Sequence, residues 1–129
     1  MPKSKIVLIE DDRTMLSLLR TLLRFEGFEV LQLEQDEDLD EIMRFVCREE
    51  PALILLDVNL RQFNGFDLLL RIRARPELRS LRVIMSSGID FSERCREEGA
   101  DGFILKPYMP DDLISTMRQV LANQSPSNK

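Results

Sequence analysis

Apolar residues in this chain follow two rhythms that alternate from end to end. Short continuous runs at 6–9, 52–56, 83–86 and 102–105 read as strands, and a weaker, more polar run at 28–33 reads as a further strand at a sheet edge. Between them the apolar positions recur at helical spacing. Met15, Leu16, Leu19, Leu22 and Leu23 form one stripe, with Gly27 as its stop; Leu39, Ile42, Met43 and Val46 form a second, closed by Pro51. Gly65 opens a third helix carrying Phe66, Leu69 and Ile72, which Pro76 ends, and Pro110 sits in the first turn of a last one carrying Leu113, Ile114, Met117, Val120 and Leu121. A shorter, polar helix is expected over 91–98.

Strands and helices in strict alternation imply an α/β fold with a parallel sheet and helices on both faces. The run at 52–56 is apolar at every position, so both faces of that strand should be covered. Five β/α units fit the flavodoxin-like doubly wound architecture, strand order 2-1-3-4-5. The pattern places one domain over 1–122, with 123–129 as a polar tail or the start of a linker.

Composition narrows the function classes. A 129-residue chain with 43% hydrophobic and 32% charged residues is an ordinary globular domain able to bury a core. Its net charge of −5 argues against general nucleic-acid binding. Its apolar runs are too short for a membrane span or a signal peptide. Cys47 and Cys95 have no metal-ligand spacing and the chain has no His, which excludes zinc and any phosphohistidine of its own. Two unpaired thiols suggest the cytoplasm. Cys47, beside the second stripe, reads as a core thiol, and Cys95, among charges, as exposed. Arg71, Arg73, Arg75, Arg79 and Arg82 read as a solvated face, with a site for an acidic partner as the alternative.

The strand ends carry the chemistry. The first run stops at Glu10, Asp11 and Asp12, the third at Asp57, the fourth at Ser86, Ser87 and Gly88, and the fifth at Lys106 and Pro107. In an open parallel sheet, ligands bind outside the carboxyl ends of the strands, and the order 2-1-3-4-5 makes strands one and three neighbours there. Clustered carboxylates repel unless a cation neutralises them, and oxygen-only donors point to a hard divalent ion, Mg²⁺ first. Glu10, Asp11, Asp57 and the backbone carbonyl of Asn59 are the candidate ligands, with Asp12 a helix cap. Asp57 is the candidate nucleophile; Lys106, the Ser87 hydroxyl and nearby N–H groups could receive the charge of a transferring phosphoryl group. Gly88 would leave room for it. Taken singly, each residue has a plainer reading: an acidic first turn, a strand-end turn Asp, a loop Lys, a core Phe.

Together, these residues make the chain resemble the receiver domain of two-component response regulators, close to the chemotaxis-type single-domain members, from Ile6 to about Ala122. Glu10 and Asp11 match the family's acidic pair, Asp57 its phospho-acceptor, Ser87 its switch hydroxyl, Phe103 its switch aromatic, Asn64 and Gly65 its turn after the acceptor, and Lys106 and Pro107 its Lys-Pro pair. The resemblance implies Mg²⁺-dependent transfer from a histidine kinase or phosphotransfer protein to Asp57. It implies a response in the face built from the fourth helix, fifth strand and fifth helix, which would signal to a partner or a missing output domain, or form a homodimer. Such a domain catalyses only its own modification and is no enzyme in the ordinary sense. It departs from the family pattern at Leu60 and Arg61, where Met-Pro is common, and at Phe103, where Tyr is frequent. Ile89 is expected to overlook the site and slow attack by water. The alternatives are an interaction or dimerisation module that needs no phosphorylation, and a small Mg²⁺-dependent phosphatase.

Overall fold

Each major helix begins where a side chain or a proline makes up for missing backbone partners. Residues 3–33 and 37–123 are described by a computed structural model. Strand β1 (Lys5–Ile9) leads into α1 (Arg13–Phe25), whose first turn is capped by the Asp12 carboxylate accepting from the Met15 N–H at 3.0 Å. Strand β2 (Glu29–Gln32) precedes α2 (Leu39–Glu49), where Asp38 and Glu41 form a reciprocal capping box. Strand β3 (Leu53–Asp57) is followed by α3 (Gly65–Arg73), capped by Asn64, and a 3₁₀ turn at Pro76–Leu78. Then come β4 (Arg82–Ser87), α4 (Ser92–Glu97), β5 (Gly102–Leu105) and α5 (Pro110–Ala122), with Pro110 at its first turn.

The strands pair in parallel in the order β2-β1-β3-β4-β5, the expected flavodoxin-like arrangement. Side chains alternate across the sheet and build two cores. Ile6, Leu8, Leu53, Leu55 and Ile84 face α1 and α5, where they meet Leu19, Leu23, Leu113 and Met117. Val7, Ile9, Ile54, Leu56, Val83 and Met85 face the other way, toward Val46 of α2 and Leu69 of α3. Every residue of β3 is buried.

The boundaries differ from the sequence pattern where polar residues take part in strands. Asp57 belongs to β3 and Ser87 to β4, because ladder hydrogen bonds continue past the last apolar residue: Asp57 pairs with Ser86, and Ser87 with Leu105. Cys95 is buried against the α3 side of the core rather than exposed, and burial, chiefly, pushes its thiol up to about 11. Cys47 is only half-buried.

The arginine run is not one solvated face. Arg73 donates to the carbonyls of Gly99 (2.8 Å) and Leu81 (2.9 Å) and to the Asp101 carboxylate (2.8 Å), tying α3 to the loops flanking β4 and β5. Arg82 donates to the carbonyls of Val120 and Asn123 at the end of α5. Arg71 and Arg75 pair with Asp40 and Glu77 at the surface. Among the described residues no helix is long and apolar enough to cross a membrane. The expected tail beyond Asn123 lies outside the described residues.

Candidate functional site

Strands β1, β3 and β5 deliver charged groups to one edge of the sheet. Asp57 is the last residue of β3, and its side chain is largely buried. Glu10 follows β1 directly, and its carboxylate accepts from the Asp12 N–H at 3.1 Å, which turns the chain into α1. Lys106 follows β5, and its own N–H donates to the Ser87 carbonyl at 2.8 Å, extending the β4–β5 ladder by one bond. From that anchor its ammonium donates to Glu10 Oε1 at 2.9 Å and stands 3.4 Å from Asp57 Oδ2. The peptide between Lys106 and Pro107 is cis.

Burial and charge set the ionisation of these groups. Burial raises the Asp57 pKa above the ordinary carboxylate range and the charge of Glu10 raises it further, against the opposing pull of Lys106 and the Asn59 N–H. Burial acts to depress Lys106, yet its bond to Glu10 and the two carboxylate charges outweigh that and leave its pKa raised. One cation thus serves two carboxylates. The site holds more negative charge than it balances locally.

The loops complete the edge. Asn59 donates its N–H to Asp57 Oδ1 at 3.4 Å and its amide Nδ2 to Ser87 Oγ at 3.3 Å; Ser87 Oγ also accepts from the Ile89 N–H at 3.1 Å. Alternation separates the two serines: Ser86 lies beside Asp57 in the ladder and lines a narrow crevice with it and Leu19, whereas Ser87 bonds to Asn59. Gly65 is sterically required, since a Cβ there would come within 2.5 Å of the Asp57 carbonyl oxygen and 3.0 Å of Val58 Cα. Gly88 differs, because a Cβ there would meet open space. Phe103 is half-buried and packs against the α3-side core, and Ile89 is 61% exposed.

Asp11 has a different partner from Glu10 and Asp57. Its Oδ2 accepts from the Arg61 N–H at 2.6 Å, with the guanidinium Nε 3.7 Å away. Among the described residues no group of three acids is gathered tightly enough to hold a metal ion. The donor chemistry nevertheless fits a hard divalent cation: the donors are carboxylate oxygens, and two of the carboxylates, Glu10 and Asp57, share a single ammonium.

Sequence reasoning missed three participants. Tyr108 is half-buried, with a pKa raised first by burial, and it feels the charges of Lys106, Glu10 and Asp57. Its place two residues after Lys106 was the available signal. The Asn59 side chain is the second, where the sequence points only to its carbonyl: an amide two residues past an acid can reach across the loop. Arg61 shows in the sequence only as a departure from the family pattern, and nothing local tells which acid it meets.

Residues 6–118 match the family model described as response regulator receiver domain. The chain is 33% identical over 119 residues to the transcriptional regulatory protein GltR of Pseudomonas aeruginosa, covering 90% of this chain and 48% of that protein. It thus spans about half the length of that relative. A protein of Chloroflexus aurantiacus J-10-fl described as a response regulator superposes with a TM-score of 0.83 at 26% identity, over 95% of this chain and 100% of that one. The receiver domain of sensor histidine kinase PA1611 from Pseudomonas aeruginosa PAO1, which holds a magnesium ion in its active-site cleft, shares the fold with a TM-score of 0.80 at 21% identity, over 95% and 100% of the two chains.

Proposed function

The chain belongs to the response regulator receiver domain family, and we propose that Asp57 is its phosphoryl acceptor. Accepting a phosphoryl group is typical of the family, whose members are signalling domains rather than ordinary enzymes. The observation that carries the assignment is the buried carboxylate of Asp57 with Lys106 Nζ 3.4 Å away, at the carboxyl edge of a doubly wound sheet.

In the proposed reaction an Asp57 oxygen forms a bond to phosphorus while the phosphorus–nitrogen bond of a phosphohistidine donor breaks. The imidazole nitrogen leaves with the electron pair. Lys106 neutralises charge on the transferring group, and Ser87, held by Asn59, offers a hydroxyl to the product. Asp11, Asp57 and the Asn59 carbonyl would hold Mg²⁺, which supplies Lewis-acid neutralisation of phosphoryl oxygens. Glu10 keeps Lys106 in place. The domain then modifies only itself, the donor being a histidine kinase or phosphotransfer protein in the cytoplasm.

The output would pass through α4, β5 and α5 to a partner protein, an output domain or a second copy. Leu105 (48% exposed) and Met109 (66% exposed) give that region apolar surface for docking. Phe103, between the core and this face, is the proposed switch aromatic.

The test is intact-protein mass after incubation with acetyl phosphate, with and without Mg²⁺, alongside Asp57→Ala. A phosphoryl adduct that requires both Mg²⁺ and Asp57 is expected. An adduct indifferent to Asp57 would overturn the assignment.

A further inference from the structure

We propose that Arg61 is a tethered counter-ion for Asp11 that competes with the divalent cation, so that the loop after β3 sets how tightly the domain holds Mg²⁺. The proposal rests on the reading of Asp11 as a metal ligand.

Two donors of one residue converge on one oxygen. The Arg61 N–H reaches Asp11 Oδ2 at 2.6 Å and the guanidinium Nε lies 3.7 Å from the same atom. The loop that carries Arg61 is pinned at its base. Asn59 bridges to Asn64, and the Gly65 N–H donates to the Val58 carbonyl at 2.7 Å. Its middle is therefore directed at the β1–α1 turn, fifty residues earlier in the chain.

The remaining charges explain why this pairing matters. Glu10 and Asp57 share the ammonium of Lys106, and Asp11 takes Arg61, so each acid has a protein cation beside it. A cation that recruits Asp11 through that oxygen meets an N–H already bonded to it and a guanidinium charge close by. Arg61 is 74% exposed in its side chain, so the guanidinium can swing into water once released. A cavity of about 80 Å³, lined by Glu10, Asp11 and Arg61 together with apolar residues such as Leu8, Ile9 and Phe63, opens beside the pair.

The residue type supplies what the contact needs. Proline at this position would have no N–H to give, and alanine would keep the N–H but lose the guanidinium. The two contributions can therefore be separated.

The experiment is calorimetric titration of the full chain with MgCl₂ at constant ionic strength. Arg61→Ala is expected to tighten binding about threefold and Arg61→Pro about tenfold, reflecting loss of an exposed ion pair and then of a charge-assisted hydrogen bond. Arg61→Lys, which retains the N–H and a charge, should stay nearer the wild type. Circular dichroism melts report whether the proline variant folds, and the alanine variant carries the test if it does not. In an Asp11→Asn background the Arg61→Ala gain should vanish.

Unchanged or weaker binding by Arg61→Ala would overturn the proposal. So would an equal gain in the Asp11→Asn background, which would mean a general field effect. If wild type, Arg61→Ala and Asp11→Asn all fail to bind Mg²⁺, or bind it alike, Asp11 is no ligand and the proposal falls. The acceptor role of Asp57 would still be judged by its own mass assay.

Discussion

Lys106 Nζ donates to Glu10 Oε1 at 2.9 Å although ninety-six positions separate the two residues. Two strands, β3 and β4, lie between those that carry them, so the bond spans the middle of the sheet at its carboxyl edge. It holds the ammonium beside Asp57 without letting Asp57 keep it alone. The same arrangement leaves Asp57 short of compensation, and its consequences can be measured.

Asp57→Asn should abolish the adduct and, without metal, stabilise the fold at neutral pH. Burial and Glu10 raise the folded pKa of Asp57, so the protonated form is favoured on folding. That contribution is present below the ordinary value of 3.8 and lost as pH rises through the raised folded value. A gain on the order of 1 kcal/mol, or roughly 3–5 °C in Tm, is expected at pH 7 and should disappear in acid. Mg²⁺ at ten times its Kd should add about 1.4 kcal/mol to the wild type alone. Calorimetric melts at pH 7 and below pH 3.8, with and without Mg²⁺, check both signs.

Lys106→Met leaves Glu10 and Asp57 without their shared cation. Loss of the charge-assisted bond to Glu10 should cost about 2 kcal/mol in urea unfolding. The phosphorylation rate with acetyl phosphate should fall on the order of a hundredfold, the usual penalty for removing one donor from developing charge. A rate within threefold of wild type would deny Lys106 a part in the transfer.

Gly65→Ala and Gly88→Ala should behave oppositely. At Gly65 the new methyl meets the Asp57 carbonyl and Val58 Cα, backbone atoms that cannot turn aside, and overpacking of about 1–3 kcal/mol is expected. The shift would also move Asp57 and slow its labelling. At Gly88 there is open space, and stability should change by less than about 0.5 kcal/mol. Denaturant melts of the pair decide the matter.

Arg73→Ala should separate stability from function. It removes bonds to Gly99, Leu81 and Asp101, leaving two loop carbonyls and a carboxylate short of a donor. A loss of about 2–4 kcal/mol is expected, with Asp57 labelling unchanged in the fraction that remains folded. Arg73→Lys should recover little, because an ammonium cannot reach three acceptors in one plane.

Local pattern was enough for the sequence to determine the architecture. Continuous apolar runs and helical stripes are consequences of which faces must be buried, and they gave the alternation from which the order β2-β1-β3-β4-β5 was read. The same runs ended at Glu10, Asp57, Ser87 and Lys106, so the candidate site was legible as soon as parallel strands were inferred. Pairing within that site was not legible. Whether Lys106 meets Glu10 or Asp57, and whether Asp11 joins them or turns to Arg61, depends on strand register and loop path between residues fifty or more apart. Burial of Cys95 and the anchoring of Arg73 and Arg82 were hidden for the same reason: their partners are carbonyls and core residues brought up by other elements. Periodicity tells which side of an element is covered; only the packed chain decides by what.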